Sequence, residues 1–318
     1  MGSKGRRYVT AAAGFLALGL VIVGCVPQGP VDSPSPSESG ARQTQQPGGA
    51  VPSSGAIGGL DHVVIIVEEN KPSGDIVGNA AAPYINKLAA DFALANNYEA
   101  VSRPSLPNYI ALTSGTTAGI TDDCSPAKCL ARVRSIADQV EQSGRSWKMY
   151  AEGMPAPCTA KDSGKYAVKH NPFMYYPGVT DDNGSCAAHV VPFPQLAGDL
   201  KSASTLPNYV FISPNMCNDM HDCPVETGDA WLSQQVPNIL ASPAFTTQNS
   251  LLVITWDEGS DRSHKVVTIF AGPAAKRGYK SEVHYSHYSL LHTIESTWGL
   301  APLTGNEKAA PVMNELLK

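Results

Sequence analysis

The sequence predicts an α/β protein: a doubly wound, mostly parallel sheet flanked by helices. Two observations carry this reading. Short, unalternating runs of β-branched and other apolar residues recur along the chain, and stretches with apolar residues at helical spacing lie between them. The first run, Val63-Val64-Ile65-Ile66-Val67, reads as a strand covered on both faces and ends in Glu68-Glu69-Asn70. Residues 84 to 94 follow with apolar side chains at 85, 88, 89 and 92, near a 3.6-residue period, so a helix is expected there. A helix is also expected from Pro107 or just after, where proline suits the first turn. Residues 136–143 and 230–240 read as further helices. Three more strands are expected at Tyr209–Ile212, Leu251–Ile254 and Val266–Phe270, and the last helix begins near Ser286 with Leu290, Leu291, Ile294 and Trp298 on one side. In open α/β sheets ligands bind beyond the carboxyl ends of the strands. Glu69-Asn70 and Asp257-Glu258 each follow such an end, so the two acidic clusters are expected to meet at one edge.

The chain has 318 residues and a formal net charge of −5. Lys4, Arg6 and Arg7 precede an apolar stretch from Val9 to Val23, too short for a confident membrane span and suited to a signal segment. It closes on Ile22-Val23-Gly24-Cys25, which resembles a bacterial lipobox. Residues 1–24 are therefore expected to be a lipoprotein signal peptide, with Cys25 lipidated; an uncleaved anchor is the competing reading. Residues 25–56, dense in Pro, Ser, Gly and Gln, are expected to be a disordered tether, leaving 57–318 as one folded domain. The protein would then sit on the extracytoplasmic face of a cell membrane. Removal of Lys4, Arg6 and Arg7 takes the net charge from −5 to −8 with no basic block left, which argues against nucleic acid as a partner. That sign also disfavours an anionic substrate unless a metal or a local cluster offsets it.

Of seven cysteines, six fall in near pairs: Cys124 with Cys129, Cys158 with Cys186, and Cys217 with Cys223. An exported protein with an even count suggests disulfides; six cysteines allow 15 connectivities, of which local pairing is the economical one. The sequence has no Cys-x-x-Cys, so zinc–thiolate sites find little support.

The chemistry-bearing residues read as follows. Glu69, Asn70, Asp257 and Glu258 offer oxygen donors for a hard divalent cation, although such acids are often solvated loop residues. Ser105, between Pro104 and Pro107, would meet backbone N–H donors at a helix N-terminus, a place suited to phosphate; an ordinary capping serine is the plainer reading. No Gly-x-Ser-x-Gly supports an α/β-hydrolase elbow. His170, His221, His284 and His287 lie near Asp, Asn and Pro, which is suggestive only.

These segments, with Lys165–His170, Asn218–Asp222, Gly228–Leu232, Thr255–Glu258 and Ser286–Tyr288, resemble in order the bacterial phosphoesterase family that groups secreted acid phosphatases with phosphate-cleaving phospholipases C. The resemblance spans residues 60 to 316, looks closest to secreted actinobacterial acid phosphatases, and implies an alkaline-phosphatase-like fold. It implies that Glu69, Asn70, Asp257 and Glu258 hold a divalent metal ion of unspecified identity and that Ser105 attacks phosphorus to form a phosphoserine. His170, Asp219, His221 and His287 would surround the phosphate, while Asn70, Arg103, Asn108 and His284 would contact the substrate. Relatives often carry His where this chain has Arg103, which cannot exchange protons near neutral pH. Histidines charged below their ordinary pKa of about 6.5 would suit an acid optimum. The expected substrate is a small phosphomonoester or a lipid headgroup phosphate. The alternatives are a phospholipase C-type phosphodiesterase, for which the chain is short, and a surface lipoprotein that binds a phosphorylated ligand without turnover.

Overall fold

The computed structural model describes residues 59–318, so the signal segment, Cys25 and the 25–56 tether lie outside the described residues. Eleven strands occur in this part: β1 (His62–Glu68), β2 (Ala93–Ala95), β3 (Tyr98–Glu99), β4 (Trp147–Ala151), β5 (Val190–Pro192), β6 (Tyr209–Ser213), β7 (Ser250–Trp256), β8 (Lys265–Val266), β9 (Thr268–Ala271), β10 (Tyr279–Ser281) and β11 (Tyr285–Ser286). Eight of them form one sheet in the order β10-β2-β9-β7-β1-β6-β4-β5, and β11-β3-β8 form a small second sheet. Only β9 runs antiparallel to its neighbours in the large sheet.

The mostly parallel architecture follows from the apolar runs. Every residue of β1 and of β7 is buried, as strands covered by helices on both faces must be. Their register pairs Val67 with Thr255 and Glu68 with Trp256. The two strands therefore end together, and Glu69 and Asp257 leave the sheet side by side.

Three expectations shift. The helix read over 84–94 is Pro83–Asp91, and Ala93–Ala95 instead forms β2, because pairing with β9 and β10 buries that apolar segment in the sheet. The run Val266–Phe270 is divided between the two sheets at Val267, so it supplies the antiparallel strand rather than another parallel one. The helix expected from Pro107 begins two residues earlier, at Ser105, with Pro104 in the capping position. The other helices lie near their expected places: Ile136–Gln142, Val225–Leu240 and His287–Trp298.

Two residues of the Val225–Leu240 helix hold distant parts together. Buried Asp229 accepts the backbone N–H groups of Tyr84 (3.2 Å) and Ile85 (2.8 Å), satisfying donors at the start of the Pro83–Asp91 helix that its own cap leaves open. Gly228 packs under the loop that carries Asp219; a Cβ there would stand 2.4 Å from the Met220 methyl and 2.8 Å from the Asn218 carbonyl. The cysteines are paired locally, Cys124–Cys129, Cys158–Cys186 and Cys217–Cys223. No helix among the described residues is long and apolar enough to cross a membrane.

The His287–Trp298 helix buries Glu295, and neither carboxylate oxygen has a hydrogen-bond partner among the described residues. Burial, then the charge of Glu307, pushes its pKa up to about 8. A carboxyl raised in the folded state keeps a proton that the unfolded chain releases near pH 4.5. Its contribution is therefore full below that pH and is lost as pH rises towards about 8. Thermal unfolding should show a higher Tm at pH 5 than at pH 8, and Glu295→Gln should flatten this slope by up to a few kcal/mol. An unchanged slope in Glu295→Gln would show that Glu295 does not titrate in this window.

Candidate active site

The site forms where β1 and β7 end. Past β1 the chain turns at Asn70, whose φ of 50° lies in the left-handed region that asparagine tolerates better than most residues. The turn aims the Asn70 N–H at Asp257 Oδ1 (3.2 Å), while Glu69 N–H donates to the Asp219 carbonyl (2.8 Å) and Asp257 N–H to the Glu68 carbonyl (3.0 Å). Three separate segments are thus pinned to one another by their backbones.

Ser105 opens the Ser105–Ser114 helix and is 1% exposed. Its hydroxyl donates to Glu69 Oε2 at 3.1 Å, with Glu258 Oε1 at 3.5 Å. One turn later, on the same helix face, the Tyr109 hydroxyl donates to Glu69 Oε1. His170 stacks on the Tyr109 ring at a 9° interplanar angle, with its Nε2 3.2 Å from Glu69 Oε1 and its Nδ1 3.3 Å from Asp219 Oδ2. Asp219 Oδ1 accepts the His221 N–H (2.8 Å), and the His221 ring lies 5.8 Å from that of His170 with its Nδ1 2.7 Å from Asp222. His287 stands behind Asp257: its Nε2 donates to the Asp257 carbonyl (2.6 Å) and its Nδ1 lies 3.1 Å from the Tyr98 hydroxyl. The carbonyl can only accept, so Nε2 carries the proton and Nδ1 can receive the Tyr98 hydroxyl.

Burial dominates the electrostatics. It raises the pKa of Glu69, and the charges of Asp257 and Asp219 raise it further. Burial also lifts Asp219 to about 7 and, with Glu258, lifts Asp257 to about 8. Glu68 is raised by burial and by Asp219. The histidines move the other way: burial, then Lys169 and His221, hold His170 well below 6.5, and burial takes His287 to about 4. Burial thus disfavours the charged ring at both positions, against the expectation of histidines charged below about 6.5.

The donor chemistry fits a divalent cation. Asp257 Oδ2, Asp219 Oδ2 and both Glu68 oxygens are buried without a hydrogen-bond partner among the described residues, as is His170 Nε2. Buried carboxylates are costly unless paired, and a hard cation supplies that partner. Among the described residues no group of three or more His, Cys, Asp or Glu side chains is drawn together closely enough to hold a metal ion as it stands. Glu69, Asp257 and Glu258, with Asn70 as a neutral oxygen donor, nonetheless share the edge where Ser105 lies.

Several residues singled out in the sequence have other roles here. Asn108 is fully buried: its Oδ1 accepts the Val101 and Ser102 N–H groups (3.0 Å each), and its Nδ2 donates to the Ser102 (2.9 Å) and Pro104 (3.2 Å) carbonyls. It shapes the loop before Ser105 and has no capacity left for a substrate. His284 is exposed and pairs with Glu99 (3.2 Å), outside this network. Arg103 directs Nε to Glu258 Oε2 (3.1 Å) and Nη1 to the Asp261 carbonyl (2.9 Å). It therefore orients an acid of the site before it could meet a phosphate. Sequence reasoning missed Tyr109, Glu68, Asp123 and Lys169. The spacing of Tyr109 from Ser105 could have flagged the first; nothing in the sequence marks Asp123 as a neighbour of Lys169, to which it is bonded at 2.8 Å.

Comparison with known proteins identifies the family and the fold. The chain is 38% identical over 275 residues to the phosphatidylinositol-3-phosphatase of Mycobacterium tuberculosis, a match covering 84% of this chain and 88% of the relative. It is 34% identical over 233 residues to the phosphate-repressible acid phosphatase of Penicillium chrysogenum, covering 69% of this chain and 55% of that one. The chain thus spans about half the length of the fungal acid phosphatases it matches, 55% and 52% in two cases. Among solved structures, a protein in the alkaline phosphatase superfamily from Vibrio parahaemolyticus superposes with a TM-score of 0.56 at 11% identity, covering 79% of this chain and 69% of that chain, a likeness of fold. The profile of the Phosphoesterase family matches residues 78–301. The chain, with its mostly parallel sheet and its serine-and-acid edge, belongs to the Phosphoesterase family.

Proposed function

We propose that this protein is an acid phosphatase that hydrolyses phosphomonoesters through a phosphoserine intermediate on Ser105. The observation that carries the proposal is the placement of the Ser105 hydroxyl: buried, at a helix N-terminus, 3.1 Å from Glu69 and 3.5 Å from Glu258. A serine hydroxyl is a weak nucleophile until a base or a metal activates it, and here two carboxylates face it. In the first half-reaction Ser105 Oγ passes its proton to the Glu69 carboxylate that accepts from it and bonds to phosphorus, the P–O bond to the leaving alcohol breaks in line, and the alcohol oxygen takes up a proton. In the second, water gives up a proton as its oxygen attacks phosphorus, and the serine oxygen leaves and is reprotonated. His221 is the imidazole suited to that proton traffic: it is partly exposed, faces His170 and is oriented by Asp222. His287, with Nε2 committed to the Asp257 carbonyl, positions that acid.

Glu69, Asn70, Asp257 and Glu258 would hold the divalent ion. When bound it neutralises charge on the phosphoryl oxygens and lowers the pKa of a hydroxyl beside it. Export and tethering through Cys25 complete the proposal, supported by the sequence pattern alone. The likeness to a phosphatidylinositol-3-phosphatase over 88% of that protein's length favours a phosphorylated lipid headgroup as one source of substrate. The acid phosphatase relatives favour small monoesters.

Two measurements test this reading. Ser105→Ala should lower turnover of p-nitrophenyl phosphate by at least about a thousandfold while the Tm stays within a few degrees, and activity near that of the wild type would remove Ser105 from the mechanism. Adding a divalent ion to chelator-treated protein should raise the Tm, and Asp257→Asn or Glu69→Gln should lose most of that rise. If no divalent ion shifts the Tm of the wild type, the acid edge is not a metal site.

A further inference from the structure

Leu106 N–H is the amide next to the proposed nucleophile, in the first turn of a ten-residue helix. Asp123 Oδ1 accepts from it at 3.0 Å, and Asp123 Oδ2 accepts from Lys169 Nζ at 2.8 Å. One carboxylate therefore joins a helix-terminal amide to an ammonium. Each donor adjoins the site in sequence, because Leu106 follows Ser105 and Lys169 precedes His170. An amide at a helix N-terminus together with a lysine is the donor pair that an anionic phosphoryl oxygen requires. His170 Nε2, carried on the same segment as Lys169, is buried beside Glu69 with no hydrogen-bond partner among the described residues.

Asp123 also differs from the acids and amides that act as fixed braces. Asn108 and Asp229 are 0% and 5% exposed, whereas the Asp123 and Lys169 side chains are 29% and 21% exposed. Solvent can receive the Asp123 carboxylate if it turns away. The adjoining residue Cys124 is held without that carboxylate: the Tyr175 hydroxyl donates to its carbonyl (2.8 Å), and its disulfide to Cys129 closes the loop on itself. The carboxylate can therefore leave its two donors without unfolding the loop. It also adds negative charge to an edge that already holds Glu69, Asp219, Asp257 and Glu258, so it works against an arriving phosphate.

We propose that Asp123 is an internal stand-in for the substrate's phosphate: its carboxylate occupies Leu106 N–H and Lys169 Nζ in the free protein, and a phosphoryl group displaces it and takes both donors. The proposal rests on the reading of the Ser105 edge as a phosphate site. Asp123 is then a positioning residue that holds the donors in place and sets the affinity for phosphate. Apparent affinity falls by the fraction of molecules in which the donors are free, so removal of the stand-in should tighten binding.

The test uses inorganic phosphate as the probe on the full chain. Its inhibition of p-nitrophenyl phosphate hydrolysis and the Tm rise it produces are compared in wild type, Asp123→Ala, Asp123→Asn and Lys169→Gln. Asp123→Ala should lower both KM and the phosphate inhibition constant by about three- to tenfold. Asp123→Asn, isosteric and able to keep the Leu106 bond, should fall between wild type and alanine, and it covers the case in which alanine impairs folding. Lys169→Gln should raise both constants. Opposite signs from the two ends of one ion pair are the signature, since a merely structural pair loses from either end. Phosphate binding equal to or weaker than wild type in both Asp123 variants overturns the proposal. A wild-type protein that phosphate neither inhibits nor stabilises overturns the phosphate-site reading, and this proposal with it.

Discussion

β1 and β7 are parallel, buried and in register to their last residues, and this pairing sets the geometry of everything beyond their carboxyl ends. Because Glu68 pairs with Trp256, Glu69 and Asp257 emerge as neighbours with no freedom to separate. The Glu69 N–H bond to the Asp219 carbonyl and the Asn70 N–H bond to the Asp257 carboxylate then fasten the adjoining loops to the same point. A one-residue slip would turn every β1 side chain to the opposite face and dismantle the edge. Since β1 is apolar on both faces, its side-chain pattern alone does not fix the register. The long contact with β7 and the turn at Asn70 supply that constraint.

Placing carboxylates this close together under cover has a direct electrostatic cost. Burial raises Glu69, Asp219 and Asp257; the charges of Asp257 and Asp219 raise Glu69 further, Asp222 raises Asp219, and Glu258 raises Asp257. The protein offsets part of this with hydroxyl and amide donors: Ser105 and Tyr109 to Glu69, Asn70 N–H to Asp257, and His221 N–H to Asp219. Arg103 is the guanidinium joined directly to the cluster, through Glu258. Several buried oxygens stay without donors among the described residues, a set that a bound cation would satisfy. The edge is strained in the sense that binding groups often are, with stability given up for function.

Much of this was legible in the sequence because the signals were local. Uninterrupted apolar runs marked β1, β6 and β7, and the acids just past two of them marked the edge. The cysteine pairs lay close enough that local closure was the simplest connectivity. The failures share one cause, which is contact between segments far apart in the chain. β2 was hidden at the end of a helical pattern because only its pairing with β9 and β10 makes it a strand. Asn108 looked like a substrate contact, yet its amide is consumed by the loop at Val101–Pro104. Asp123 carried no motif, and its place beside Leu106 appears only once the loop folds over the helix N-terminus.

The neutral histidines change how acid behaviour should be understood. His170 lies under Tyr109 and beside Lys169, and burial and that positive charge hold it uncharged in the free protein. It cannot serve there as a ready-made cation for phosphate. The Coulomb rule that depresses its pKa reverses when an anion sits beside it, because a negative charge within a few ångströms favours the protonated ring. Proton uptake and anion binding are then linked, each strengthening the other by the same free energy. An acid preference in such a site belongs to the complex and not to the free protein, and it needs no histidine titrating near 6.5 beforehand.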